Sequence, residues 1–124
     1  MKRIISAVLV VLMIAVLAAC GSSYSNEETN AKTILMSEKA TYKSDEEVEI
    51  NEIKAVNFVK EQTVKNRKLT YFIVETDSYD WGYAELCDGS VLTYKVGYSE
   101  SDAKTRCNDT AEYRTSELGA MAIN

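Results

Sequence analysis

The sequence predicts a small α+β domain, rich in strand, with an antiparallel meander of about three strands between Leu69 and Val96 at its centre. Three observations predict it. Leu69–Thr76 reads LTYFIVET, a β-branched and aromatic run with the composition of a strand buried on at least one face. Residues 82–87 and 91–96 are two further apolar runs separated by Asp88-Gly89, a strong two-residue hairpin signal, and Leu92, Tyr94 and Val96 alternate with Thr93 and Lys95 in the second of them. One helix is a candidate over residues 45–65, and an all-β fold is the alternative.

The chain opens with MKRIISAVLVVLMIAVLAAC. Lys2 and Arg3 make a basic start, residues 4–19 carry no charge, and small residues precede Cys20. This is the pattern of an exported segment. Sixteen helical residues cover about 24 Å, less than the roughly 30 Å of a bilayer's hydrocarbon core, so the stretch fits a signal better than a membrane-spanning helix. Leu17-Ala18-Ala19-Cys20 followed by Gly21 resembles the lipobox of a bacterial lipoprotein precursor. The resemblance covers only these first residues. It implies a diacylglyceryl thioether on Cys20, cleavage between Ala19 and Cys20, and an acylated cysteine as the new N-terminus. It also implies export: to the outer membrane of a double-membrane bacterium, since Gly21 rather than Asp follows the cysteine, or to the outer face of the cell membrane otherwise. The expected organisation is a signal peptide (1–19), an anchor with a flexible tether (20–31) and one extracytoplasmic domain (32–124).

Charge and composition narrow the function. The chain has 14 basic and 19 acidic residues. Lys2 and Arg3 lie before Cys20 and no acid does, so the chain from Cys20 onward carries a net charge of −7. An acidic domain is a poor nucleic-acid binder and is expected to stand off an anionic membrane. Histidine is absent, which removes Ser-His-Asp and Cys-His catalysis within the chain and zinc sites of the histidine type. No catalytic residue, metal site or cofactor is assigned. With Cys20 given to lipid, Cys87 and Cys107 form an even pair in an oxidising setting and are expected to be disulfide-bonded.

The remaining elements follow in order. Residues 21–31, GSSYSNEETNA, are small, polar and acidic and read as tether. Residues 33–36 and 40–43 have strand character. Ser44-Asp45-Glu46-Glu47 has the form of a capping box opening the candidate helix. The pattern after it serves helix and strand alike: as strand, Ile53, Ala55 and Val59 alternate only after a one-residue slip. Residues 99–111 are rich in Ser, Asp, Thr and Asn and read as loop, and residues 115–121 suit a short terminal helix.

Within the domain the aromatic turn Tyr79-Asp80-Trp81-Gly82-Tyr83 is the candidate binding surface, because exposed Trp and Tyr anchor partners. The competing reading places Trp81 in the core, with Tyr79 and Tyr83 nearer the surface. Asp77, Asp80 and Asp88 could gather around calcium, though their spacing matches no calcium loop. Glu75, Asp77, Asp80 and Glu85 raise the question of a carboxylate pair for glycoside hydrolysis. The expectation is a lipid-anchored envelope protein without enzymatic activity, joined to the membrane through Cys20 and binding a protein partner. A small glycan hydrolase and a structural or surface-coat lipoprotein are the alternatives.

Overall fold

The expected meander forms the middle of a six-stranded sheet with helices on both faces. The computed structural model describes residues 24–123; the lipobox and Cys20 lie outside them. The order along the chain is α1 (Ser25–Met36), β1 (Ala40–Tyr42), β2 (Glu47–Val48), β3 (Ile53–Val64), β4 (Arg67–Thr76), β5 (Trp81–Cys87), β6 (Ser90–Tyr98), α2 (Glu100–Arg114) and α3 (Glu117–Ala120). The strands lie in the order β2-β1-β6-β5-β4-β3. All neighbours are antiparallel except β1 and β6, which run parallel.

The sheet is buried on both sides, which explains why β4 and β5 are apolar or tightly paired at nearly every position. On one face Ala31 and Leu35 of α1 pack with Ile53, Val56, Phe72, Val74, Leu86 and Val96. On the other, Ala103, Cys107 and Ala111 of α2 pack with Leu69, Tyr71, Ile73, Tyr83 and Tyr98. The β5–β6 hairpin turns at Asp88 and Gly89 with φ of 50° and 84°. Both central residues thus have positive φ, the type I′ geometry that the Asp-Gly pair favours.

Four expectations are corrected. Residues 45–65 hold strands, not a helix: residues 43–46 form the β1–β2 turn, where Asp45 has φ of 71°, β2 follows, and β3 runs from Ile53 with register shifts between Ile53 and Ala55 and between Phe58 and Lys60. These two bulges produce the slip in the alternation. Residues 99–111 are helix, not loop. Ser99 caps α2 by accepting the Asp102 N–H, and the inward face of α2 is built from small residues at i, i+4 and i+8. Residues 25–31 belong to the folded domain, because α1 starts at Ser25 and is fastened to the edge strand β3. Tyr24 stacks on Phe58 with ring centroids 3.8 Å apart, and Glu28 Oε2 accepts the Phe58 N–H at 2.7 Å. Residues 33–36 likewise are the end of that helix rather than strand. The meander, β1 and the short terminal helix are as expected.

Candidate functional site

The aromatic turn joins β4 to β5 at one end of the sheet. Its backbone is closed by Thr76, whose N–H donates to the Asp80 carbonyl at 2.8 Å and whose hydroxyl accepts the Tyr79 N–H at 3.0 Å. Asp80 takes a positive φ of 55° to complete the turn, a conformation Asp tolerates better than most residues. Tyr79 leans on Tyr42 edge to face, with centroids 5.8 Å apart. Together with Ser44, Glu46, Val48 and Asp80 they line an open groove of about 340 Å³ between this turn and the β1–β2 hairpin.

The three candidate aromatics do not share a surface. Tyr79 packs against the α1-side core, whereas Trp81 and Tyr83 belong to the α2 side. Trp81 is half-buried there, and Tyr83 is only 5% exposed, so it is core rather than surface. Trp81 and Tyr83, two apart on β5, share a face, whereas Tyr79 precedes the strand in the turn, on the other side of the positive-φ residue Asp80. Of the trio, Tyr79 lines the groove beside the β1–β2 hairpin.

A second groove, of about 390 Å³, opens at the same end of the sheet, because Gly97 donates its N–H to the Tyr79 carbonyl. Lys43, Lys95 and Arg106 line it along with Tyr98 and Asp102. The Arg106 guanidinium lies 4.7 Å from the centre of the Tyr98 ring, a cation–π contact that holds it in place. Two shallow grooves of opposite charge thus sit side by side, one edged by Glu46 and Asp80 and the other by three cations.

The carboxylates singled out in the sequence are not gathered. Asp80 lines the Tyr79 groove, while Glu75, Asp77 and Glu85 do not. Asp88 sits at the opposite end of β5, ion-paired with Arg67. Among the described residues no group of three or more acids or cysteines is placed to hold a metal ion.

Glu85 instead anchors a buried network. Arg114 donates to both its oxygens, Nε to Oε2 at 3.0 Å and Nη2 to Oε1 at 2.9 Å. Tyr71 donates to Oε2 at 2.6 Å and Thr93 to Oε1 at 2.9 Å. Gln62 then donates to the Tyr71 hydroxyl and to the Ala111 carbonyl, each at 2.9 Å. The last donor of Arg114, Nη1, reaches the Gly119 carbonyl at 2.9 Å. Gly119 is needed for this approach, since a Cβ there would lie 2.0 Å from the Tyr113 carbonyl oxygen. Burial and the Glu85 carboxylate push the Tyr71 hydroxyl's pKa above its ordinary value. Hydrogen bonding to Glu85 likewise raises that of Arg114.

The expected Cys87–Cys107 bridge is not formed: both thiols are free and buried, though in the same cluster. Cys107 faces inward from α2, and Cys87 closes β5. Burial pushes the Cys107 thiol up to about 12, so it stays protonated and is a poor nucleophile at neutral pH.

No protein-family model matches the chain, and no curated protein or solved structure matches it either.

Proposed function

We propose that the protein is a lipid-anchored lipoprotein of the bacterial cell envelope that acts by binding, as an accessory module rather than an enzyme. The observation that carries the reading is the Leu17-Ala18-Ala19-Cys20 sequence four residues ahead of a folded domain. The side chains best suited to react are committed to the fold: Glu85 to Arg114, Tyr71 and Thr93, and Cys107 to the core. The surface at the far end of β6 is suited to contact. It offers three tyrosines, three carboxylates and three cations in two open grooves, a mixture common at polar interfaces.

Mass spectrometry of the native protein tests the anchor. The expected N-terminus is an acylated Cys20, and Cys20→Ser should leave an unprocessed precursor. A free, unacylated N-terminus would end this reading. For the binding surface, a photo-crosslinker placed at Tyr79 should capture one defined envelope partner, while the same group at Glu61 on the opposite side of the sheet should not.

A further inference from the structure

The domain's charge is segregated. The β3–β4 hairpin, residues 53–76, holds five basic residues (Lys54, Lys60, Lys65, Arg67 and Lys68) and two acids, Glu61 and Glu75. The hairpin therefore carries +3, while the rest of the chain from Cys20 onward carries −10. Arg67 is compensated by Asp88 and Lys68 by Glu61. Lys54 and Lys60 are exposed and make no ion pair among the described residues.

The hairpin's outer strand is also where the sheet ends. Its two bulges turn Lys54 and Val59 out of register with β4, and bulges re-aim side chains in this way. Val59 is 37% exposed. At the hairpin tip Lys65 donates to the carbonyls of Ala120, at 3.4 Å, and Ile123, at 2.9 Å. This holds α3 beside the tip, with Leu118 and Met121 at 66% and 67% exposure. Exposed apolar side chains are thus interleaved with lysines along one border of the molecule. Of the acids at that border, Glu61 is paired with Lys68 and Glu28 is turned onto the Phe58 N–H.

The chain to Cys20 leaves from the same border. Tyr24 is stacked on Phe58 of β3, and three residues, 21–23, lie between it and Cys20. The four residue steps, fully extended, reach about 14 Å. The tether expected over residues 20–31 is shortened to this, because α1 has taken up the rest.

We propose that the outer border of the β3–β4 hairpin, with α3 at its tip, is the surface on which the domain rests on an anionic lipid bilayer. The inference builds on the acylation of Cys20. Its chemistry is that of peripheral membrane proteins that combine an acyl anchor with basic residues, the lysines meeting anionic headgroups. Val59, Leu118 and Met121 would enter the headgroup layer between them. The acidic remainder of the domain, with the two grooves beyond β6, is then turned away from the membrane.

Hydrogen exchange on the acylated full-length mature protein tests this. The protein is reconstituted into vesicles of phosphatidylcholine alone or of phosphatidylcholine with phosphatidylglycerol, and Cys20 acylation is verified by mass in the same sample. In the anionic vesicles the outward amides of 59–66 and those of 117–121 should exchange several-fold more slowly than in the neutral ones. Those of 40–48, at the other edge, should not change. Lys54→Gln combined with Lys60→Gln should abolish the difference while leaving the rest of the exchange pattern intact. Equal exchange at 59–66 in both vesicles overturns the docking and leaves the anchor standing. Protection that is independent of lipid charge and grows with protein density assigns the edge to a second copy and overturns it as well. An unacylated Cys20 overturns the anchor, and the docking with it.

Discussion

The two faces of the sheet are held by different physics. On the α2 face a carboxylate fully removed from water is bound by a guanidinium, a phenol and a threonine hydroxyl, and the network runs on to a glutamine and two backbone carbonyls. On the α1 face the buried contacts are mainly apolar. Two buried polar side-chain atoms, Glu27 Oε2 and the Tyr94 hydroxyl, find no partner among the described residues. A buried network of this kind acts only when complete: satisfied, it fixes one arrangement of helix on sheet, and broken, it leaves a charge in the core. The apolar face tolerates change in proportion to the volume changed. The difference teaches where this fold is brittle and where it is forgiving.

The largest effect should come from breaking the network at its cation. Arg114→Met leaves Glu85 buried without its counter-charge and should cost about 3 to 5 kcal/mol. That is a large part of the roughly 5 to 10 kcal/mol expected for a domain of this size. Urea denaturation checks it, and a loss below about 1 kcal/mol would show that water reaches Glu85.

The comparison sharpens when one chemical change is made on both faces. Tyr71→Phe removes a hydroxyl that donates to Glu85 and accepts from Gln62, and should destabilise by about 2 kcal/mol. Tyr94→Phe removes a buried hydroxyl without a partner and should be neutral or stabilising by about 1 kcal/mol. Two thermal melts of opposite sign are the expected result. Equal losses would mean that Tyr94 has a bound water as partner.

The smallest effect at neutral pH lies in the titration of the α2 face. The Cys107 thiol is raised from 9.0 to about 12, by burial first and then by Glu85. The Tyr71 hydroxyl is raised from 10.0 by burial and by the same carboxylate. Both groups are neutral when protonated, and the fold favours that form. Their contribution is therefore present in full below about pH 9 and is lost as pH rises from 9 through 12. Denaturation midpoints should be flat between pH 7 and 8.5 and fall steeply beyond 9, and a flat profile to pH 11 would remove Cys107 from the core.

The sequence showed what large apolar residues encode and hid what small residues and bulges encode. LTYFIVET and the Asp88-Gly89 turn made β4, β5 and β6 readable, because β-branched runs and positive-φ turn residues are strong local signals. α2 was hidden because its buried stripe is Ala103, Cys107 and Ala111, which lets the helix lie close to the sheet and gives almost no hydropathy contrast. The signal present for it was the cap at Ser99 followed by Glu100 and Asp102. β3 was hidden because bulges at Lys54 and Val59 shift its alternation twice. α1 was hidden because only Ala31, Leu35 and part of Ile34 face inward from a polar segment. Of the aromatic turn, the residue types were readable but their division between faces was not. It depends on the turn at Asp80, whose positive φ lies between Tyr79 and β5, and both faces of the sheet are covered.

The Glu28 carboxylate on the Phe58 N–H has a consequence for molecules confined to a plane. Proteins spread on a membrane meet one another in two dimensions, with their borders aligned far more often than in free solution. A twelve-residue outer strand with every amide open would invite its neighbours to add strand to strand into ribbons. Here the middle amide is already taken by a carboxylate from the chain's own first helix. The bulges interrupt the line on either side of it, and lysines repel the approaching copy. The border is shaped so that crowding does not become polymerisation.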